Sequence, residues 1–286
     1  MPKTLTVGGV PEHFNWPWRL AEADGAFAAA GAPVQWIDFP GGTGAMLGAL
    51  AAGELDAALL LTEGALADAI NTGNNRLVKV WVRSPLIWGI HVAADSALKH
   101  PRDLNGARFA ISRYRSGSHL MAIVDALGRG WRVDNLRFVV VGSLDGARQA
   151  LAAGDADAFL WERFTTSPLV RSGEWRRVDD CVGPWPAFAV VVPTRRLNQV
   201  RARLRTALAV ADRYATNLAR RRNAVTEIAT AYGLDPSETA AWFDRVRWSR
   251  GSRRPSRALE QCADVLAAAG IVATVPTELD TVWARL

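Results

Sequence analysis

Five short stretches gather the residue types that could do chemistry. "EHFNWPW" at 12–18 sets Glu12, His13 and Asn15 beside Trp16 and Trp18. Two indole faces with one titratable ring and one amide suit a small planar or amphipathic ligand, since rings give contact area and Asn or His fixes orientation. "PGGTGAM" at 40–46 puts Gly41, Gly42 and Thr43 ahead of an expected helix, where backbone N–H groups and the threonine hydroxyl can act as donors. "LTEG" at 61–64 adds Glu63. "SRYRSGSHLM" at 112–121 collects Ser112, Arg113, Tyr114, Arg115, Ser116, Gly117, Ser118 and His119 at an expected helix N-terminus. Hydroxyls, free N–H groups and a guanidinium are the donors an anionic group needs. "WERFTT" at 161–166 carries Glu162 and Arg163, which either pair with each other or face a ligand. Each stretch has a plainer alternative. Trp16 and Trp18 could only pack the helix whose first turn holds Pro17, the glycines could only serve a tight turn, and the serines could only cap an exposed helix.

Several reaction classes have no foothold here. The chain has neither the GxGxxG fingerprint nor a Walker pattern, and no HExxH helix. Spacing assigns no Ser-His-Asp order and no convincing carboxylate pair. Cys181 and Cys262 are its two cysteines and no CxxC occurs, so neither a disulfide framework nor a structural zinc site is written in the sequence. No cofactor and no metal are expected. If the chain were an enzyme, His13 or Glu162 would be its acid or base.

The elements that must position these stretches come in two similar sets. "ALAAGELDAALLL" begins at residue 49, and "ALAAGDADAFLWE" begins at residue 150. In each, an Ala-rich run ends a helix, Gly53 or Gly154 stands at the cap, and Asp56 or Asp157 leads into an apolar run that suits a buried strand. Upstream lie "VQWIDFPGG" and "LRFVVVG", each a strand running into glycine; further upstream "LTVGG" and "RFAIS" read as one more strand apiece. The coarse order for the first set is a strand near Leu5, helix 17–30, strand 34–39, helix 44–52, strand 57–61 and helix 64–72. "RLVKVWV", "IWGIHVA", "RVDDCV" and "AFAVVVP" read as further strands, and from Arg195 onward the pattern is helical. Strands alternating with helices imply parallel βαβ units. In such sheets ligands sit beyond the carboxyl ends of the strands. That rule nominates six loops, at 8–18, 40–46, 61–64, 112–119, 142–146 and 161–166.

A chain of 286 residues with 49% hydrophobic and 22% charged residues is an ordinary globular composition, enough for one large domain or two smaller ones. Its net charge is +6, with arginines crowded after residue 195 in "RARLR", "ARRRN" and "DRVRWSRGSRR". They recur among Leu, Ala and Val at helical spacing, so they read as the solvated faces of amphipathic helices, and no nucleic-acid partner is expected. No uncharged run approaches the roughly 18 residues of a membrane span. The opening "MPKTLTVGGV" runs straight into a strand, so a cytoplasmic location is expected, and a periplasmic or membrane-associated one if the true start lies upstream.

"HPRDLNGARFAIS", "RSGSH" and "ALAAGDADAFLWERF", taken with "AEADGAFAAAGAPVQW" and "GGTGAMLGALAAGELDAAL", resemble the type 2 periplasmic-binding-protein superfamily. The branch is that of sulfonate-, nitrate- and taurine-binding proteins and the thiamine-pyrimidine synthases. The resemblance implies an α/β fold of two Rossmann-like lobes with a ligand cleft between them and a discontinuous first lobe. The expected parts are residues 1–90, then a second lobe at 91–190, then 191–286 as the return to lobe one and C-terminal helices. It further implies a monomeric solute receptor that closes over a small anionic or aromatic molecule, with an ABC permease as a partner. Alternatives of another class are a cytosolic enzyme on the same fold and a basic binder of nucleic acid or membrane surface. The desulfinase relatives use a first-lobe cysteine and the pyrimidine synthases a cysteine-rich segment; this chain has no cysteine before Cys181. Relatives in an alternative menaquinone pathway fit the enzyme alternative.

Overall fold

A computed structural model describes residues 3–251 and 254–286. The first two residues of the opening "MPKTLTVGGV" and Arg253 of the basic run "DRVRWSRGSRR" lie outside it. The chain forms two compact units. One comprises residues up to Ser84, Trp185–Asp264 and Val272–Leu286; the other comprises Pro85–Pro184 and Val265–Ile271. The crossings therefore fall at Ser84–Pro85 and Pro184–Trp185, six residues before the positions 90 and 190 expected from sequence. The cause is that "IWGIHVA" pairs along its whole length with strands of the second lobe, while Trp185 already bonds into the first.

The first lobe opens with β1 (Leu5–Gly9), a 3-10 turn (His13–Asn15), α1 (Trp16–Ala23) and α2 (Ala26–Ala29). It continues with β2 (Val34–Asp38), α3 (Gly42–Ala52), β3 (Ala57–Leu61), α4 (Thr62–Thr72) and β4 (Asn75–Val82). The second lobe holds β5 (Ile87–Ala93), β6 (Arg108–Ile111), α5 (Gly117–Gly128), β7 (Arg137–Val140), α6 (Leu144–Ala153), β8 (Ala158–Glu162), α7 (Ser167–Arg171) and β9 (Trp175–Val182). The chain then returns through β10 (Phe188–Pro193) to α8 (Leu197–Leu218), α9 (Ala224–Tyr232), α10 (Pro236–Phe243) and α11 (Ser256–Ala268). The single helix expected over 17–30 is broken into α1 and α2, because Gly25 adopts a left-handed φ of 66°. Among the described residues no helix is long and apolar enough to cross a membrane.

Each lobe has a five-stranded sheet, in the order β2-β1-β3-β10-β4 and β7-β6-β8-β5-β9. The two orders superimpose element for element. β1 pairs parallel with β2 and β3, as β6 does with β7 and β8. The fourth strand, β10 in one lobe and β5 in the other, is antiparallel to both neighbours. The sheets are therefore mixed and not purely parallel. In each lobe the antiparallel strand is the first one laid down after the chain crosses in.

The duplicated phrase does the same job in both copies. Gly53 and Gly154 close α3 and α6 at φ of 81° and 72°. Asp56 Oδ2 then accepts the Thr6 amide at 3.0 Å while the Asp56 amide donates to the Thr6 carbonyl at 2.9 Å. Asp157 Oδ2 accepts the Arg108 amide at 2.7 Å, and its amide donates to the Arg108 carbonyl at 2.8 Å. Each aspartate thus fastens the start of one parallel strand to the start of its neighbour and sets their register. Asp56 is buried and faces Arg196 at 2.5 Å; Asp157 is more exposed and pairs with Arg108 itself at 2.6 Å.

The basic tail is engaged more than a solvated face would be. Arg195 donates to the Ala51 carbonyl at 2.8 Å and Arg196 to that of Gly53 at 3.1 Å, so both neutralise the C-terminal end of α3. Arg201 and Arg203 reach the carbonyls of Arg285 and Lys3. The tail also seals the outer edge of β4, through bridges from Trp248 to Val82 and from Trp283 to Leu77.

Because a hydrogen bond to a charged group contributes about 1.5–3 kcal/mol, Asp56→Ala should lower unfolding stability by that order in urea titrations. Asp157→Ala, at the more exposed anchor, should cost less. Equal and negligible effects at both positions would show that the register is set elsewhere.

Candidate functional site

The carboxyl ends of β1 and β3 present the first lobe's loops. His13 and Asn15 are buried, on a turn held by two indoles: Trp81 Nε1 and Trp248 Nε1 both donate to the Phe14 carbonyl, at 3.2 Å and 2.9 Å. The His13 ring meets Trp242 edge-on with centroids 4.2 Å apart and Tyr232 at 6.2 Å. That apolar box drives the imidazole pKa down to about 3, so His13 is neutral and is not a proton donor near neutral pH. Asn15 donates from Nδ2 to the Val10 carbonyl at 2.9 Å. Trp16 is part-buried and faces Tyr232 at 5.8 Å, whereas Trp18 is fully enclosed among Phe27, Trp36 and Trp81 and belongs to the core.

The glycine loop is less free than its composition suggests. Gly42 stands at φ 65° and spends its amide on the Phe39 carbonyl at 3.0 Å. Thr43 accepts the Leu61 amide on its hydroxyl at 3.2 Å, and its methyl lies where a β-carbon on Gly64 would sit, 2.7 Å away. Thr43 thus joins α3 to the β3–α4 turn, and Gly64 is the residue that lets them approach. One position further back, Glu63 is buried in the first turn of α4 and accepts Trp185 Nε1 at 2.9 Å. Burial pushes its pKa up to about 7.

In the second lobe the loop after β6 folds onto the start of α5. Ser116 is the N-cap and its Oγ accepts the His119 amide at 3.4 Å. Ser118 Oγ accepts the Ser112 amide at 3.0 Å and lies 3.0 Å from Ser116 Oγ. The amides of Gly117 and Ser118 have no acceptor among the described residues, as the first turn of a helix dictates. His119 Nδ1 accepts the Arg115 amide at 3.2 Å, and the ring packs against Phe138 and Tyr114. Desolvation lowers its pKa below the ordinary imidazole value. Arg115 is held at a left-handed φ of 66°, and Arg113, Tyr114 and Arg115 are exposed around the helix end.

Glu162, at the end of β8, is buried and accepts both the Thr165 amide and hydroxyl on Oε2, at 2.7 Å and 2.8 Å. Burial raises its pKa to about 7. Arg163 pairs with Asp180 at 2.7 Å, not with Glu162. The turn is tied down by Thr166, whose Oγ1 donates to the Glu162 carbonyl at 3.0 Å and lies 3.0 Å from Nε2 of the buried His91. Cys181 and Cys262 are both buried, and their thiols are shifted upward, Cys181 to about 12.

In the first lobe, the structure thus gathers His13, Asn15 and Trp16 in one group and Thr43 with the β3–α4 turn in another. In the second lobe, Arg113, Ser116, Gly117, Ser118 and His119 meet at one helix end. Trp185, Tyr232 and Trp242 were absent from the sequence-derived set, although Trp185 stands in the Pro-flanked "GPWPAF" and Trp242 in the aromatic "AWF".

Residues 88–181, most of the second lobe, match the family model described as Ca3427-like PBP. The Candida albicans CA3427 gene product, itself described as having the generic periplasmic binding protein fold, superimposes with a TM-score of 0.89. It is 23% identical, over 99% of this chain and 96% of that one. The chain has the periplasmic-binding-protein fold. The alkanesulfonate-binding protein SsuA from Xanthomonas axonopodis pv. citri, bound to MOPS, superimposes at TM-score 0.82 with 20% identity, over 100% of this chain and 99% of that one. The Escherichia coli aliphatic sulphonate binding protein SsuA gives 0.76 and 19%, over 99% and 98%. No curated protein sequence matches the chain significantly.

The shifted groups predict opposite pH responses. Glu63 and Glu162 hold a proton in the folded state between about pH 4.5 and 7 that the unfolded chain releases, so their contribution to stability falls as pH rises through that window. For His13 the unfolded chain takes up the proton between about pH 3 and 6.5, so its contribution is lost as pH falls. Relative to the parent, Glu63→Gln should therefore be more stable at about pH 8 than at about pH 5, and His13→Phe the reverse. Urea titrations at both pH values check this; differences that do not change with pH would contradict the burial-driven shifts.

Proposed function

We propose that this chain is a small-molecule binding protein whose second lobe seats an anionic group of the solute at the N-terminus of α5. The observation that carries it is the set of donors there: the unpaired amides of Gly117 and Ser118, the linked hydroxyls of Ser116 and Ser118, and the exposed guanidinium of Arg113. A helix N-terminus carries positive partial charge and points N–H groups outward, which favours a sulfonate, carboxylate or phosphate. Support comes from relatives of the same fold described as binding alkanesulfonates, one of them with the sulfonate MOPS bound. A membrane importer is its expected partner, in keeping with a Staphylococcus aureus protein of this fold described as the ligand-binding component of an ABC-type import system.

The test uses MOPS, taurine and inorganic sulfate as probes. Calorimetry on the full chain should find at least one that binds. Losing a charged hydrogen bond costs about 1.5–3 kcal/mol, so Arg113→Ala should weaken binding roughly 10-fold to 150-fold. Ser116→Ala, which removes one neutral hydroxyl of the seat, should weaken it less, and Arg205→Ala, exposed on α8, should leave it unchanged. Equal affinities across the three variants would sink the reading.

A further inference from the structure

Four polar atoms of the first lobe lie buried with no hydrogen-bond partner, around one group of rings: His13 Nε2, Asn15 Oδ1, Trp16 Nε1 and Trp242 Nε1. His13, Asn15 and Trp242 are 2%, 1% and 3% exposed. Successive contacts join the rings, from Trp242 to His13 at 4.2 Å, His13 to Tyr232 at 6.2 Å, and Tyr232 to Trp16 at 5.8 Å. Folded proteins pair nearly all their buried polar groups, because a donor or acceptor taken out of water unpaired costs stability. Four in one small region therefore point to a ligand. The donors and acceptor are of complementary kinds. Two indole N–H groups can only donate, the Asn15 carbonyl oxygen can only accept, and the neutral imidazole can do either at Nε2.

The walls narrow the chemistry further. His13 is kept neutral by its surroundings, so none of these groups brings a formal charge. Aromatic faces at right angles favour a flat partner. Trp16 and Tyr232 are the part-buried members of the group. We infer that the first lobe contains a binding site of its own, framed by His13, Asn15, Trp16, Tyr232 and Trp242, for a planar uncharged group that both donates and accepts hydrogen bonds, such as an aromatic amide or a nitrogen heterocycle. This deepens the small-molecule reading and rests on it, but uses residues separate from the anion seat at α5.

Nicotinamide and benzamide are the probes, with cyclohexanecarboxamide as the non-planar control, followed by ligand-detected NMR and calorimetry on the full chain. At least one aromatic amide should bind saturably and more tightly than the control. Trp16→Phe and Trp242→Phe each remove one unpaired atom and keep apolar bulk; Asn15→Leu removes the unpaired Oδ1 together with the Nδ2 bond to the Val10 carbonyl. Each should weaken binding about 3-fold to 10-fold, the effect of losing a neutral hydrogen bond. In the absence of probe, Trp16→Phe and Trp242→Phe should melt at or above the parent temperature, because an unpaired buried donor has been removed. A residue that serves packing alone would not show that opposition of affinity and stability. Trp16 is part-buried, so its variant keeps the test valid if the Trp242 variant fails to fold. Absence of binding by both aromatic amides, or affinities unchanged in all three variants, overturns the inference. If MOPS or taurine still binds in that case, the anion reading survives; if nothing binds, both fall.

Discussion

Two carboxylates set the frame on which everything else is hung. Asp56 and Asp157 reach across to an amide at the start of the neighbouring parallel strand and return their own amide to the same residue's carbonyl. A parallel strand pair has no hairpin to fix its register, and a slip of one residue would turn every side chain to the opposite face. The charge-assisted bond at the strand start removes that freedom. Once β1 and β3, or β6 and β8, are locked together, their carboxyl ends are fixed relative to each other. The loops that carry Asn15, Glu63, Ser116 and Glu162 all leave from those ends.

From that frame outward, the two lobes position their loops by different means. The first uses aromatic bulk: the Phe14 carbonyl receives two indole N–H groups, from strand β4 and from the segment after α10, so the turn bearing His13 and Asn15 is clamped from distant parts of the chain. The second uses short polar links, with Ser118 as a hub between Ser112 and Ser116 and with Thr166 bridging the Glu162 turn to His91. Indole clamps exclude water and leave polar atoms unpaired; serine links satisfy one another and leave helix amides open. The polar groups each lobe leaves open follow from that difference: indole, imidazole and amide atoms in one, helix amides in the other.

The strands, the repeated unit and the loops at the strand ends were legible because each is written locally, in apolar runs bounded by glycine and aspartate. The serine-rich start of α5 was legible for the same reason, since capping is a matter of residues within one turn. What could not be read were pairings across long separations. Nothing near Glu63 announces Trp185, nothing near Arg163 announces Asp180, and the box around His13 depends on Tyr232 and Trp242 from helices far along the chain. Nothing in the glycine loop announces that the Thr43 hydroxyl accepts the Leu61 amide, a contact between α3 and the end of β3. The crossing points lie six residues before the expected positions because β5 and β10 are buried over nearly their whole length, and a strand buried on both faces does not reveal which sheet it joins.

The fourth place in each sheet has a consequence for how the chain is made. β10 lies between β3 and β4, both of which precede it by more than a hundred residues, whereas β5 through β9 lie together in sequence. As the chain leaves the ribosome, β4 has no neighbour to pair with until Phe188–Pro193 emerges. The second lobe has its full set of strands before that moment, lacking only the short segment Val265–Ile271. Domains fold as units when their strands are available, and loop closure over long separations is slow. The lobe that begins the polypeptide is thus the one that finishes last, and during synthesis its half-built sheet offers an open edge at β3 that only its own returning strand is shaped to close.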